Sequence, residues 1–238
     1  MRARVVAPLI AAVLGIGGGV ATALVVPDGD GSPRTSTFND PLHLGIALVD
    51  QDCTGEALLV VGYGDSVAPL GTAVANNSTK GARYLRTDES CKTILGPQLT
   101  PAPTYVVYLG PYKTLAESCE KRMTPEHRGD FVTVLRSGND TTVKCPCALP
   151  TSVAPVLTPH MVADAEETVW IRSLQAMLSD YDASKFPRSN ITGQYDDATV
   201  ARVTEVQQEQ QGIPVIPGVA DAATWGVLTD RICRIYDF

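Results

Sequence analysis

Between Val5 and Pro27 the chain carries no charged residue and is dominated by Val, Leu, Ile, Ala and Gly. About 20 such residues in a helix cross the ~30 Å hydrocarbon core of a bilayer. Arg2 and Arg4 precede the run and Asp28 and Asp30 follow it. That asymmetry predicts a cytoplasmic N-terminus, with the remainder beyond the membrane. Two readings stay open. Residues 5–27 are an uncleaved single-pass anchor in the cytoplasmic membrane, or residues 1–27 are a signal peptide. Ala21-Thr22-Ala23 fits the small-x-small cleavage rule, and cleavage near Ala23 would make the chain secreted. The length of the run favours the anchor. Both readings put residues 28–238 outside the cytoplasm.

That placement decides how the cysteines read. Cys53, Cys91, Cys119, Cys145, Cys147 and Cys233 are even in number, and an extracytoplasmic chain with such a set is expected to form disulfides. No Cys-x-x-Cys pair or Cys/His block is present, so no metal site is expected. Cys145-Pro146-Cys147 is too tight to bridge itself comfortably, so each is expected to pair elsewhere. The preferred partner for Cys233 is Cys145 or Cys147, which ties the C-terminus back to mid-chain.

The rest of the chain divides by composition. Residues 28–41 are a Gly, Pro, Ser, Thr and Asp spacer. Pro146, Pro150, Pro155 and Pro159 mark residues 146–159 as a semi-rigid linker. Two folded units are expected, over residues 42–145 and 160–238. At 44% hydrophobic and 19% charged, the chain is no candidate for wholesale disorder. Its net charge of −7 argues against a nucleic-acid partner. Residues 160–238 hold 12 acids and six bases, so most of that charge belongs to the second unit.

The first unit alternates element types. Strands are predicted at 57–61, 82–86, 105–109 and 131–136, and helices at 66–75 and 114–123. Gly62, Gly64 and the Gly110-Pro111 step read as strand stops. The order β-α-β-β-α-β is the split βαβ, or ferredoxin-like, pattern, with two helices on one sheet face and the other open for a ligand. The run Tyr105-Val106-Val107-Tyr108-Leu109-Gly110-Pro111-Tyr112, followed by Lys113-Thr114-Leu115-Ala116-Glu117, resembles the second half of a SPOR domain. The likeness covers about 57–137. Val61-Gly62-Tyr63-Gly64-Asp65-Ser66 departs from the Gly-Ser-Phe usual in that family. The resemblance implies glycan binding through the sheet face, with Tyr63, Val106 and Tyr108 as candidate contacts. Val106 and Tyr108 share one face of their strand, and Tyr105 and Val107 the other.

The second unit reads as all helical. Asp164 and Glu167 form a capping pattern. Ile171, Leu174 and Leu178 make one apolar stripe, and Val200, Val203 and Val206 a second, ended at Gly212. Gly193-Gln194-Tyr195-Asp196-Asp197-Ala198-Thr199 is echoed by Gly218-Val219-Ala220-Asp221-Ala222-Ala223-Thr224, with four of seven positions identical. Each copy is a turn followed by a helix start, with Asp196 and Asp221 as N-caps. Leu174-Gln175, Gly193-x-Tyr195, Thr199, Val206-Gln207, Gly212-Ile213-Pro214-Val215 and Thr224-Trp225 together resemble the small three-helix peptidoglycan-binding domain of wall hydrolases. The likeness spans about 165–230. It implies non-catalytic binding of peptidoglycan, with Trp170, Gln175, Tyr195 and Gln207 as candidate contacts.

No catalytic constellation accompanies these modules. His43, His127 and His160 stand far apart and in no metal-ligand pattern. Glu166-Glu167 and Asp196-Asp197 sit at helix starts, where acids favour the dipole. No nucleophile elbow, phosphate loop or Cys–His pairing is present. The expected protein is an α+β, non-enzymatic, cofactor-free chain that binds peptidoglycan, by glycan strand or stem peptide. In the rival expectation the split βαβ unit docks a cell-wall or division protein, and only the helical unit touches the wall.

Overall fold

The computed structural model describes residues 39–91, 102–136, 143–210 and 216–233. The apolar run at 5–27, most of the spacer, the turn at 137–140 and Gly212 to Val215 lie outside the described residues. Among those described, no helix is long and apolar enough to cross a membrane.

The first half forms the expected element order: β1 (Ala57–Gly64), α1 (Val67–Asn77), β2 (Arg83–Arg86), β3 (Tyr105–Tyr112), α2 (Leu115–Arg122) and β4 (Phe131–Val134). The four strands make one antiparallel sheet in the order β2-β3-β1-β4. Gly62 and the Gly110-Pro111 step do not stop the strands, whereas Gly64 is the last residue of β1. β1 stays paired with β3 as far as Gly64 opposite Tyr105, and β3 runs through Gly110-Pro111 to Tyr112. Thr114 caps α2 by accepting the Glu117 N–H, with Glu117 in the first turn and Lys121 and Arg122 in the last.

Strand alternation distributes the apolar residues to two separate cores. Ala57, Leu59, Tyr84, Val107, Leu109 and Val132 face α1 and α2, where they meet Leu70, Ala73, Val74, Cys119 and Met123. Leu58, Val60, Leu85, Val106, Tyr108, Cys91 and Leu135 form a second cluster on the opposite face. The expected open face is therefore closed: Val106 and Tyr108 are both 0% exposed. The Tyr108 hydroxyl donates to the Val49 carbonyl at 2.9 Å and accepts from Gln51 Nε2 at 2.8 Å. The Cys91 N–H donates to the Gln51 carbonyl, and Cys53 is bonded to Cys91. Residues 49–53 are thus stapled across the face that the sequence left free.

Residues 146–159 are packed rather than extended. A short helix α3 (Cys145–Ala148) carries two cysteines with different partners. Cys145 bonds Cys119 on α2, and Cys147 bonds Cys233, one of the two expected partners. Farther on, Leu157 and Ala220 exchange backbone hydrogen bonds at 3.0 and 2.9 Å, and Leu157 is fully buried. The Trp225 indole N–H donates to the Pro155 carbonyl at 3.0 Å. Residues 38–238 accordingly make one compact unit, without a break at the prolines.

Three helices complete it: α4 (Ala165–Tyr181), α5 (Asp197–Gln208) and α6 (Ala222–Cys233). Asp164 and Glu167 close a reciprocal capping box at the start of α4. Trp170 and Trp225 meet edge to face at 5.6 Å in the core. The sequence echo becomes a duplicated hydrogen-bonded clamp. Gln175 accepts the Gly193 N–H at 2.8 Å and donates to the Gln194 carbonyl at 2.8 Å and Thr199 Oγ1 at 2.9 Å. Gln207 does the same one copy later. It accepts from Gly218 N–H at 3.1 Å and donates to the Val219 carbonyl and Thr224 Oγ1, each at 2.8 Å. Each threonine hydroxyl in turn donates to its N-cap aspartate, Asp196 or Asp221. Gly193 and Gly218 turn the chain at φ +83° and +73°, in the left-handed region that favours glycine. Both glutamines are buried with their polar atoms paired, so removal leaves the buried Gly193 or Gly218 N–H without an acceptor.

Three outcomes follow from this packing. Replacing Cys147 and Cys233 by serine frees a loop of 86 residues and should cost about 4 kcal/mol, read from the urea midpoint; a loss below ~1 kcal/mol contradicts the latch. Gln175→Leu should cost about 2 kcal/mol because the buried Gly193 N–H loses its acceptor, and an unchanged midpoint contradicts the clamp. Burial also pushes the Tyr108 phenol from 10.0 up to about 12. Its folded value lies above its unfolded one, so its contribution is complete below about pH 10 and is lost as the pH rises toward 12. A phenolate absorbance titration of Tyr108→Phe should therefore lose a step near pH 12; losing one near pH 10 instead means that the face is open.

Candidate functional site

The candidate contacts named from the sequence do not converge on one surface. Val106 and Tyr108 lie inside the second sheet core. Trp170, Gln175, Tyr195 and Gln207 are each 5% exposed or less. Gln175 and Gln207 are the two clamps, and the Tyr195 hydroxyl donates to the Gly218 carbonyl at 2.8 Å. Desolvation holds the Tyr195 phenol well above its ordinary value. These four hold the helical part together from within. Tyr63 alone is presented to solvent, at 46% exposure, with its ring tilted against Phe131 at 6.3 Å.

Tyr63 stands at the mouth of a cleft of about 450 Å³ that runs between the sheet and the helices. One wall comes from the end of β1, the end of α2, the turn before β4 and the start of β4: Tyr63, Arg122, Arg128, Asp130 and Phe131. The other comes from α4 and the turn after it: Arg172, Ser173, Ala176, Asp180 and Arg188. Lys144 and Cys145 lie between the two. The walls touch where Ser173 Oγ meets Met123 Sδ at 3.6 Å. The Cys119–Cys145 bridge fastens the intervening segment to α2.

The electrostatics of this cleft oppose those of the chain. Five cations line it against two acids, in a protein of net charge −7. Both acids are engaged. Asp180 pairs with Lys144 at 2.6 Å and lies 3.8 Å from Arg188. Asp130 meets His127 Nδ1 at 2.6 Å. Burial pushes the Asp130 carboxyl up, opposed by its hydrogen bond to His127 and by the nearby Arg122. Burial lowers the Arg122 guanidinium, with Asp130 pulling the other way. Arg122 Nη2 donates to the Arg128 carbonyl at 3.1 Å, while its Nη1 is buried without a partner. The guanidinium groups of Arg128 and Arg172 have no ion pair or hydrogen bond among the described residues. Low-dielectric walls carrying one excess sign concentrate the opposite charge.

Sequence reasoning missed this cleft, because its residues come from four separated stretches. The local signal was only a scatter of Arg and Lys between otherwise acidic segments. Among the described residues, no group of three His, Cys, Asp or Glu is placed to hold a metal ion.

Comparison with known proteins adds one identification. No curated protein and no solved structure matches this chain. The family model for a peptidoglycan binding domain matches residues 171–228, which run from the first turns of α4 into α6. This stretch holds both glutamine clamps and, through Arg172 to Ile191, the helical wall of the cleft. The C-terminal helical part is therefore similar to that family's domain over residues 171–228.

Proposed function

We infer that the protein is a non-catalytic peptidoglycan binder that works outside the cytoplasmic membrane, held there by residues 5–27. The observation that carries this reading is the family match at 171–228, which coincides with the three-helix part built around the duplicated clamps. Three disulfides support an oxidising compartment, in keeping with the charge asymmetry around the N-terminal apolar run.

The strand order and the Gly110-Pro111-Tyr112 motif support a SPOR-like first half. The closure of its second sheet face favours a different role for it from the one that likeness implies. With Val106 and Tyr108 buried, a glycan strand has no open sheet to lie on. This favours the reading in which the first half supplies a wall of the cleft, or docks a cell-wall protein, while the helical half contacts the wall polymer.

Purified sacculi test the function. The full-length chain should co-sediment with them well above a control protein of similar acidity. Sedimentation no greater than that control overturns the reading.

A further inference from the structure

We propose that the cleft between the sheet and α4 is a receptor for the carboxylates of an acidic wall stem peptide. This rests on the peptidoglycan reading above and adds the place and chemistry of recognition. Three arginines with unspent donors line the cleft: Arg122 and Arg128 from the first half, and Arg172 from the helical half. A planar guanidinium fork matches a carboxylate in two parallel hydrogen bonds, which a lysine ammonium does not. The one lysine in the cleft, Lys144, is paired with Asp180. Lys144 and Arg188 offset that acid, and His127 engages the other, so neither stands against an incoming anion unscreened.

Size and shape agree. A cleft of about 450 Å³ is far larger than a single inorganic anion needs and falls within the range of sites for small organic ligands. At its mouth Tyr63, backed by Phe131, offers an apolar ring with a polar tip for the aliphatic or sugar portion next to the carboxylates. A sugar without any carboxylate, such as an N-acetylglucosamine disaccharide, would leave the arginines unused.

Calorimetric titration of the full-length chain tests this with three probes: a soluble disaccharide–tetrapeptide, an N-acetylglucosamine disaccharide that carries no carboxylate, and inorganic phosphate. The disaccharide–tetrapeptide should bind, and the other two should bind at least about tenfold more weakly. Arg128→Gln with Arg172→Gln, both at exposed positions, should weaken the tetrapeptide probe about tenfold. Arg128→Gln alone and a salt series on the unaltered chain give the same reading while leaving in place Arg172, whose side chain lies against Gly193. Unchanged affinity in both variants overturns the proposal, as does phosphate binding as tightly as the peptide. If the unaltered chain still pellets with sacculi in that case, only the cleft assignment fails. If it does not pellet, the peptidoglycan reading fails with it.

Discussion

The pair of disulfides at Cys145-Pro146-Cys147 fixes how the rest of the molecule is arranged. Two cysteines one residue apart reach in different directions, one to α2 and one to the end of α6. A short helix becomes the point at which an antiparallel sheet and a three-helix bundle are joined covalently. Neither link acts alone. Leu157 pairs with Ala220 and Pro155 accepts from Trp225, so the proline-rich stretch is held along its length. Proline suits such a stretch: it gives up a backbone donor that a packed, non-repetitive segment would have to satisfy. The cleft is a consequence of this join, because its two walls belong to the two halves.

Polar networks do for the helical part what disulfides do for the join. With three short helices and modest apolar content, the bundle has little core to spare. Two buried glutamines compensate by fixing the turns that precede α5 and α6. Each satisfies one backbone N–H, one carbonyl and one threonine hydroxyl. Buried polar groups favour a unique structure only when fully paired, and these are. A residue type that looks like a ligand contact in sequence is here an internal fastener.

Much of the architecture could be read from the residues. Strand and helix periodicity gave the β-α-β-β-α-β order, and the echo at 193–199 and 218–224 marked two equivalent helix starts. These features are local, set by residues within one or two turns of each other. What the sequence hid depends on long-range closure. Tyr108 is sealed by Val49 and Gln51, more than fifty positions away, and nothing in residues 105–112 announces that partner. Gly62 and Gly110 looked like strand ends because the pairing that carries β1 and β3 past them comes from the neighbouring strand. The cleft was hidden for the same reason: Tyr63, Arg128 and Arg172 meet only after both halves have folded and joined.

The central claim is that the two halves fold as one body, with the cleft as a fixed part of it. Differential scanning calorimetry of the oxidised full-length chain tests this most directly. The structure predicts one cooperative transition whose calorimetric and van't Hoff enthalpies agree. Two resolved transitions, one for the sheet half and one for the helical half, would show independent modules on a linker and contradict it.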